Sequence, residues 1–509
     1  MRCGEPMKTT SFRAAVAAAA LVAFAAPATF AAPAKGDAPV TEAELAGHIR
    51  ILSSDAFEGR GPGTEGEDRT IAYVVGEWAK LGLEPVPGSA TPWLQGVPLV
   101  ETQARGGTAK FKVRGRAFAI EDDGIILTGR DASVSLSNLP VVFVGYGLDG
   151  TGKVTADVAG KVAVMLYDNA PFGDKLPRYR ERRQMLAEAG ASAVLVIATD
   201  ATPWSQLRNS LGGKTTRLAS AKQGAPVTGF LSLEAADALF KKAGQDGAAL
   251  REDAKSSDYR GSALDVTVDL ATTSTVRPYE SNNIIAKLPG AKPDGKAVLF
   301  LGHWDHLGIC APDDPKDRIC NGAVDNASGI AVLTAVAKRL ASGERSDRDI
   351  YFMATTAEEK GLLGAHYFAD HPVVPLTDIT VALNIDTIAI SGSGTPVATI
   401  GRGKPAYDAV IRDVATKLGR KLDEDGEADA FIQRQDGWAL GAKGVTSLMV
   451  GGSFSDMPLL EKFLGSDYHE PADEFSDRIP LGGAAEDADL HVALGRAFAD
   501  TKRWAGSGQ

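Results

Sequence analysis

Several residue types that decide whole classes of protein are scarce in this 509-residue chain, and each shortage removes something. Three cysteines are too few for the disulfide framework of a small secreted scaffold. No block of lysine and arginine occurs, and the formal net charge is -11, which argues against a nucleic-acid binder held by phosphate contacts. Beyond residue 31 no apolar run approaches the roughly 20 residues needed to span a bilayer. Neither an internal repeat nor a low-complexity tract is present. Histidine is limited to seven, so where each one stands carries information.

The N-terminus, by contrast, reads as a secretory signal. Lys8 and Arg13 precede the apolar core "AAVAAAALVAFAA", Ala14 to Ala26, and small residues end it near Ala31. Cleavage there predicts an exported protein, periplasmic or extracellular, with no stable membrane anchor; as a retained anchor the stretch is short and alanine-rich. Cys3 leaves with residues 1–31. Cys310 and Cys320 remain, and either close "CAPDDPKDRIC" into a small loop or stay as two free thiols.

In "TEAELAGHIRILSSDAF" the apolar stripe Leu45, Ile49, Leu52 predicts a helix. "EGRGPGTEGE" reads as a glycine-rich loop. A second helix comes next in "DRTIAYVVGEWAKLGLEPV", with Ile71, Val74, Val75 and Trp78 on one face and Gly82 as its stop. From Leu139 to Leu270 short β-rich runs ("PVVFVGYG", "KVAVMLYD", "ASAVLVIAT") surround a helical "RYRERRQMLAEAGA", with little that could do chemistry. Residues 139–270 therefore read as an insert between 40–138 and 275–505. From Asn282 onward strands alternate with helices, which predicts an α/β fold: a mixed, mostly parallel sheet flanked by helices on both faces.

In such a sheet the strands' carboxyl ends meet along one edge, so polar residues just past each strand become neighbours. Those residues are His303 with Asp305 after "AVLFLG", Asp325 in "NGAVDNASG", Glu358 and Glu359 after "DIYFMATTA", Asp386 within "VALNID", and His469 in "DYHEPADE". Imidazole and carboxylate are zinc ligands. With Asp325 bridging, His303 and Asp386 complete one metal and Glu359 and His469 the other, roughly 3.5 to 4 Å apart as in two-metal hydrolases. Glu358 is left facing the water, in the position of a general base. Singly these motifs are ordinary turns and helix starts; their joint order carries the reading. His48, His491, His366 and His371 read as surface or packing residues, and His306 as loop structure.

As a set, "GHWDHLG", "GAVDNASG", "ATTAEEKGLLGAHYF", "LNIDTI" and "DYHEPADE" resemble the successive motifs of the M28 family of di-zinc peptidases. The 139–270 block resembles the protease-associated (PA) domain that many members carry. The resemblance implies a zinc-dependent exopeptidase fold and two Zn2+ ions, with Co2+ or Mn2+ also suited to N/O ligands. It implies the ligand set His303, Asp325, Glu359, Asp386 and His469, with Glu358 as base. Asp305 would then hydrogen-bond the His303 ring, Tyr468 would steady an oxyanion, and the Asp325–Asn326 peptide would be cis. One departure stands out: where many relatives have Ser-Asp-His-Tyr, this chain reads "RQDGWALG", with Gly437 and Trp438 in place of the last two. The expected function is an aminopeptidase acting on peptides. A glutamate-carboxypeptidase-like enzyme and a glutaminyl cyclase are alternatives within the family, and an inert binding protein is the alternative outside enzymes.

Overall fold

The computed structural model describes residues 38–86, 91–121, 123–173, 177–199, 204 and 214–504. The signal segment, 1–31, lies outside them. No helix among the described residues is long and apolar enough to cross a membrane.

Four strands, Ala297–His303, Asp349–Thr355, Ile379–Asn384 and Ser447–Gly451, pair in parallel and form the centre of a helix-flanked sheet. Every residue of "AVLFLGH" is buried, as expected of a strand covered on both faces. Its side chains alternate. Val298 and Phe300 enter the core under helices Glu42–Leu52, Ser328–Ser342 and Leu481–Ala499, while Leu299 and Leu301 enter a smaller core with Ala365, Phe368 and Leu440. Gly495 allows the last helix this close approach, since a Cβ there would come within 2.8 Å of the Phe300 ring. Because the four strands run the same way, the residues just past their ends gather on one edge.

The strand Ser262–Leu288, 27 residues long, joins this region to a second one. Its end, Ile284 to Leu288, pairs antiparallel with Asp349–Thr355, and most of its length pairs antiparallel with Leu94–Val113 across a bulge at Thr273/Ser274. Ser133–Phe143, reached from its other side, continues in parallel through Val162–Leu166, Ala193–Ile197 and Val227–Leu231. The core beneath these strands also includes Phe111, Val113 and Leu127. The β-rich half thus takes in residues ahead of Leu139, because 106–113 are the hydrogen-bonded partners of 266–273. Composition, which marks local β-richness, carries no trace of that pairing.

Of the glycine-rich "EGRGPGTEGE", part is regular. A 3-10 turn spans Asp55–Arg60, and Thr64 caps the helix Glu65–Lys80 by accepting from Gly66 N.

Candidate metal centre

His303 is the last residue of its strand, Glu358 and Glu359 come after the next, Asp386 lies two residues past the third, and Asp325 sits in the turn entering Ser328–Ser342. The Asp325–Asn326 peptide is cis. His469 arrives on the loop before the last helix. The two Asp325 oxygens face different partners: Oδ1 lies 3.2 Å from His303 Nε2, and Oδ2 lies 3.4 Å from His469 Nε2. His303 Nε2 is also 3.3 Å from Asp386 Oδ1, and His469 Nε2 is 2.8 Å from Glu359 Oε2. The fold therefore brings together all five residues named as ligands, in two groups that share Asp325. Glu358 stands beside the first group, with Oε2 4.0 Å from His303 Nε2.

Whether these residues suit a metal can be judged from their protons. His303 Nδ1 donates to the Asp305 backbone carbonyl at 3.1 Å. That bond leaves Nε2 of the neutral ring as a lone pair aimed at two carboxylates, which is repulsive unless a proton or a cation stands between them. His469 Nε2 is buried without a hydrogen-bond partner of good geometry although two carboxylates lie close by. Despite burial, the charges of Asp386 and Glu358 raise His303 well above its usual range, and Asp325 and Glu359 raise His469 to about 10. Burial works against Asp325 as an anion too, yet His303 and His469 hold it well below the carboxylate range. Glu359 goes down to about 2, with His306 and His469 outweighing burial and the Asp325 charge. Glu358 goes the other way, raised well above its usual value by burial and, next among what raises it, the neighbouring Glu359. Two adjacent glutamates thus have opposite proton affinities. Mixed imidazole and carboxylate donors around unpartnered lone pairs fit zinc.

Four supports escaped the sequence reading. His306 is fully buried and its Nδ1 lies 2.6 Å from Glu359 Oε1, which leaves Oε2 for His469. Asp473 accepts from the backbone N–H groups of Val324 and Asp325, so the loop that delivers His469 also grips the shared aspartate. Asn326 donates to the Ile385 carbonyl and accepts from Thr387 N, tying the same turn to both sides of Asp386. Arg60 donates to carbonyls on either side of the site. His306, Asn326 and Asp473 lie inside the motifs quoted above, but nothing in the local sequence assigns them these partners.

Asp305 differs from expectation. Its backbone carbonyl, not its carboxylate, takes the His303 ring, because two residues after a strand end the chain is still turning back over the imidazole. The carboxylate accepts from Glu358 N at 3.0 Å, and burial pushes it up to about 7. Tyr468 stacks on the His469 ring at 3.7 Å and lines the cavity above the cluster. Cys310 and Cys320 form a disulfide. A Cβ at Gly437 would meet the side chains of Ser447 and Gln435, which would have to move. Trp438 faces a separate cleft, shared with Tyr167 and Tyr179 of the β-rich half. The Gly437–Trp438 departure therefore leaves the metal cluster untouched.

Residues 283–493 match Peptidase family M28. Among curated proteins the chain is 28% identical over 202 residues to a probable zinc metalloprotease of Leptosphaeria maculans, covering 38% of this chain and 44% of that one. It is 30% identical over 247 residues to aminopeptidase YwaD of Bacillus subtilis, covering 48% and 43%. The matched stretches span from 16% to 58% of the first three such relatives. Among solved structures, an aminopeptidase from Aneurinibacillus sp. strain AM-1 superposes with TM-score 0.55 at 19% identity, over 91% of this chain and 94% of that one, a likeness of fold.

Proposed function

Starting from a chain whose residues 283–493 are a domain of peptidase family M28, we propose that it is an exported di-zinc aminopeptidase that removes N-terminal residues from peptides. The observation that carries this is the shared Asp325, whose two oxygens face two separate histidine–carboxylate groups. His303, Asp325 and Asp386 would hold one ion, and Asp325, Glu359 and His469 the other. Zinc held there supplies Lewis acidity toward the scissile carbonyl and toward water. Glu358, whose raised proton affinity suits a general base, takes the water's proton and returns it to the leaving amine. Asp305 fixes the start of the turn that presents Glu358 by accepting its backbone N–H. Tyr468, which lines the cavity, would steady the oxyanion through its hydroxyl. The β-rich insert is proposed as a protease-associated domain, and export rests on the N-terminal signal.

An apolar wall of Phe431, Met449, Phe454, Leu460 and Leu464 closes the cavity beside Glu358 and Asp386. It suits a bulky apolar side chain, with the acids near a free α-ammonium group. Arg434 also borders the cavity and favours a second reading, in which it meets a terminal carboxylate and the enzyme is a carboxypeptidase. Assaying leucyl and phenylalanyl chromogenic amides against N-blocked peptides, before and after chelation, separates the two. Expected is cleavage of the free-amine substrates, lost on chelation and restored by zinc. Turnover of N-blocked peptides alone would reverse the assignment.

A further inference from the structure

Two arginines, one in each half of the molecule, are buried almost completely and aim their guanidinium groups at backbone carbonyls. Arg182, in the β-rich half, donates to the carbonyls of Tyr146, Leu166, Tyr167 and Asp168. Arg60 donates to Trp304 at 2.9 Å, Leu52 at 2.9 Å, Asn321 at 2.6 Å and Gly322 at 2.8 Å. The difference lies in what those carbonyls belong to. Trp304 stands between His303 and Asp305, while Asn321 and Gly322 open the turn that carries Asp325. One planar fork therefore ties the two segments that present two of the first metal's three ligands, His303 and Asp325.

The backbone bends to put it there. Glu58, Gly59 and Arg60 all have positive φ (47°, 62° and 51°), a left-handed run that non-glycine residues adopt only where the surroundings over-determine it. The same residues grip the His303 loop through the main chain, His306 N donating to Arg60 O and Gly308 N to Gly59 O. Among the described residues Arg60 makes no hydrogen bond to a carboxylate, yet burial lowers it to about 10 against the pull of Asp473, Asp325, Asp305 and Glu359, so it stays a cation at neutral pH.

We propose that Arg60 is a positioning residue of the metal centre: its guanidinium fork joins the His303 loop to the Asp325 turn. This rests on the metal reading above. The full chain would be compared with Arg60→Met, Arg60→Lys and, as a control for a buried carbonyl-binding arginine remote from the site, Arg182→Met. Zinc affinity is read by competition with a chromogenic chelator, coordination by the visible spectrum of the Co2+-loaded protein, and folding by circular dichroism. Expected is zinc binding weakened roughly 10- to 100-fold in Arg60→Met, the scale on which residues behind metal ligands act, with an altered cobalt spectrum. Arg60→Lys keeps the charge and loses the fork, so it should weaken zinc binding and alter the cobalt spectrum as Arg60→Met does. Arg182→Met should lower the melting temperature and leave zinc affinity unchanged. A folded Arg60→Met with wild-type affinity and spectrum overturns the inference, and should that variant not fold, the same result in Arg60→Lys does so. Wild-type protein that takes up no zinc overturns the metal reading itself, a distinct result.

Discussion

The molecule contains two parallel four-stranded arrangements built on the same rule, and among the described residues only one ends in a candidate site. In the β-rich half, Val162–Leu166, Ala193–Ile197 and most of Val227–Leu231 are as buried as Ala297–His303 is in the other. The residues just past the strand ends differ. Asp168, just past one strand, accepts from the Thr199 hydroxyl past the next, and Ser232 caps the helix Leu233–Lys242 by accepting from Ala235 N. Those polar groups satisfy one another. After Ala297–His303 and its neighbours the polar groups converge instead, with His306 Nε2 and Asp305 Oδ2 buried and, among the described residues, without a hydrogen-bond partner. All seven histidines also lie outside residues 106–273. A parallel sheet thus supplies positions, and reactivity comes where the residues placed there cannot neutralise each other locally.

The largest expected effects come from the adjacent glutamates, Glu358 and Glu359. Glu358→Gln should retain metal and lose turnover by roughly 10² to 10⁴, the contribution of a general base. Glu359→Gln should lower metal content, with activity partly regained at high zinc. Steady-state kinetics with metal analysis checks both; metal lost from the Glu358 variant alone would mean the roles are exchanged. Next in size, chelation should destabilise the metal-bearing half by about 3 kcal/mol if free zinc had stood a hundredfold above its dissociation constant. Calorimetry should show that transition moving while the unfolding of the β-rich half stays in place.

A pH effect of similar order should also be confined to one half. His491, fully buried against Phe300, is lowered by burial to about 4. Above pH 6.5 neither the folded nor the unfolded state protonates it, so its stabilising contribution is complete there. As pH falls from 6.5 to 4 only the unfolded chain takes up the proton, and on the order of 3 kcal/mol is lost. Urea unfolding at pH 7 and pH 4.5 should show a smaller loss in His491→Phe; equal losses would refute the assignment. The smallest expected effect on the site is the most direct test of independence. Replacing residues 105–273 with a short turn that joins the paired Ala104 and Ser274 should leave metal content unchanged and alter the handling of longer peptides. A folded deletion that no longer binds metal would break the comparison.

How much of this was legible in the sequence differs by distance along the chain. The alternation of strand and helix after Asn282 is a local signal, and so are His303, Glu358, Glu359 and Asp386, each within a few residues of a strand end. Asp325 and His469 needed the joint pattern. Arg60 could not be read at all: its carbonyl partners Trp304, Asn321 and Gly322 lie 244, 261 and 262 residues away, and a backbone acceptor leaves no mark in side-chain sequence. Asp305 was placed beside the right ring but through the wrong oxygen, since spacing does not distinguish a carboxylate from the carbonyl of the same residue. The start of the β-rich half was hidden because pairing of 106–113 with 266–273 is a long-range event.

The Cys310–Cys320 bridge has a practical consequence. Gly308 and Cys320 also pair through the backbone, so both feet of the segment between the cysteines are fastened independently of what it contains. Pro312, Asp313, Asp314, Pro315 and Lys316 all face solvent. Lengthening a solvent-exposed ring whose ends are already held adds little closure entropy and transmits little strain. An affinity tag, a fluorophore attachment peptide or a surface-immobilisation handle set between Asp313 and Lys316 would sit in the chain between His303 and Asp325 and leave both where they are.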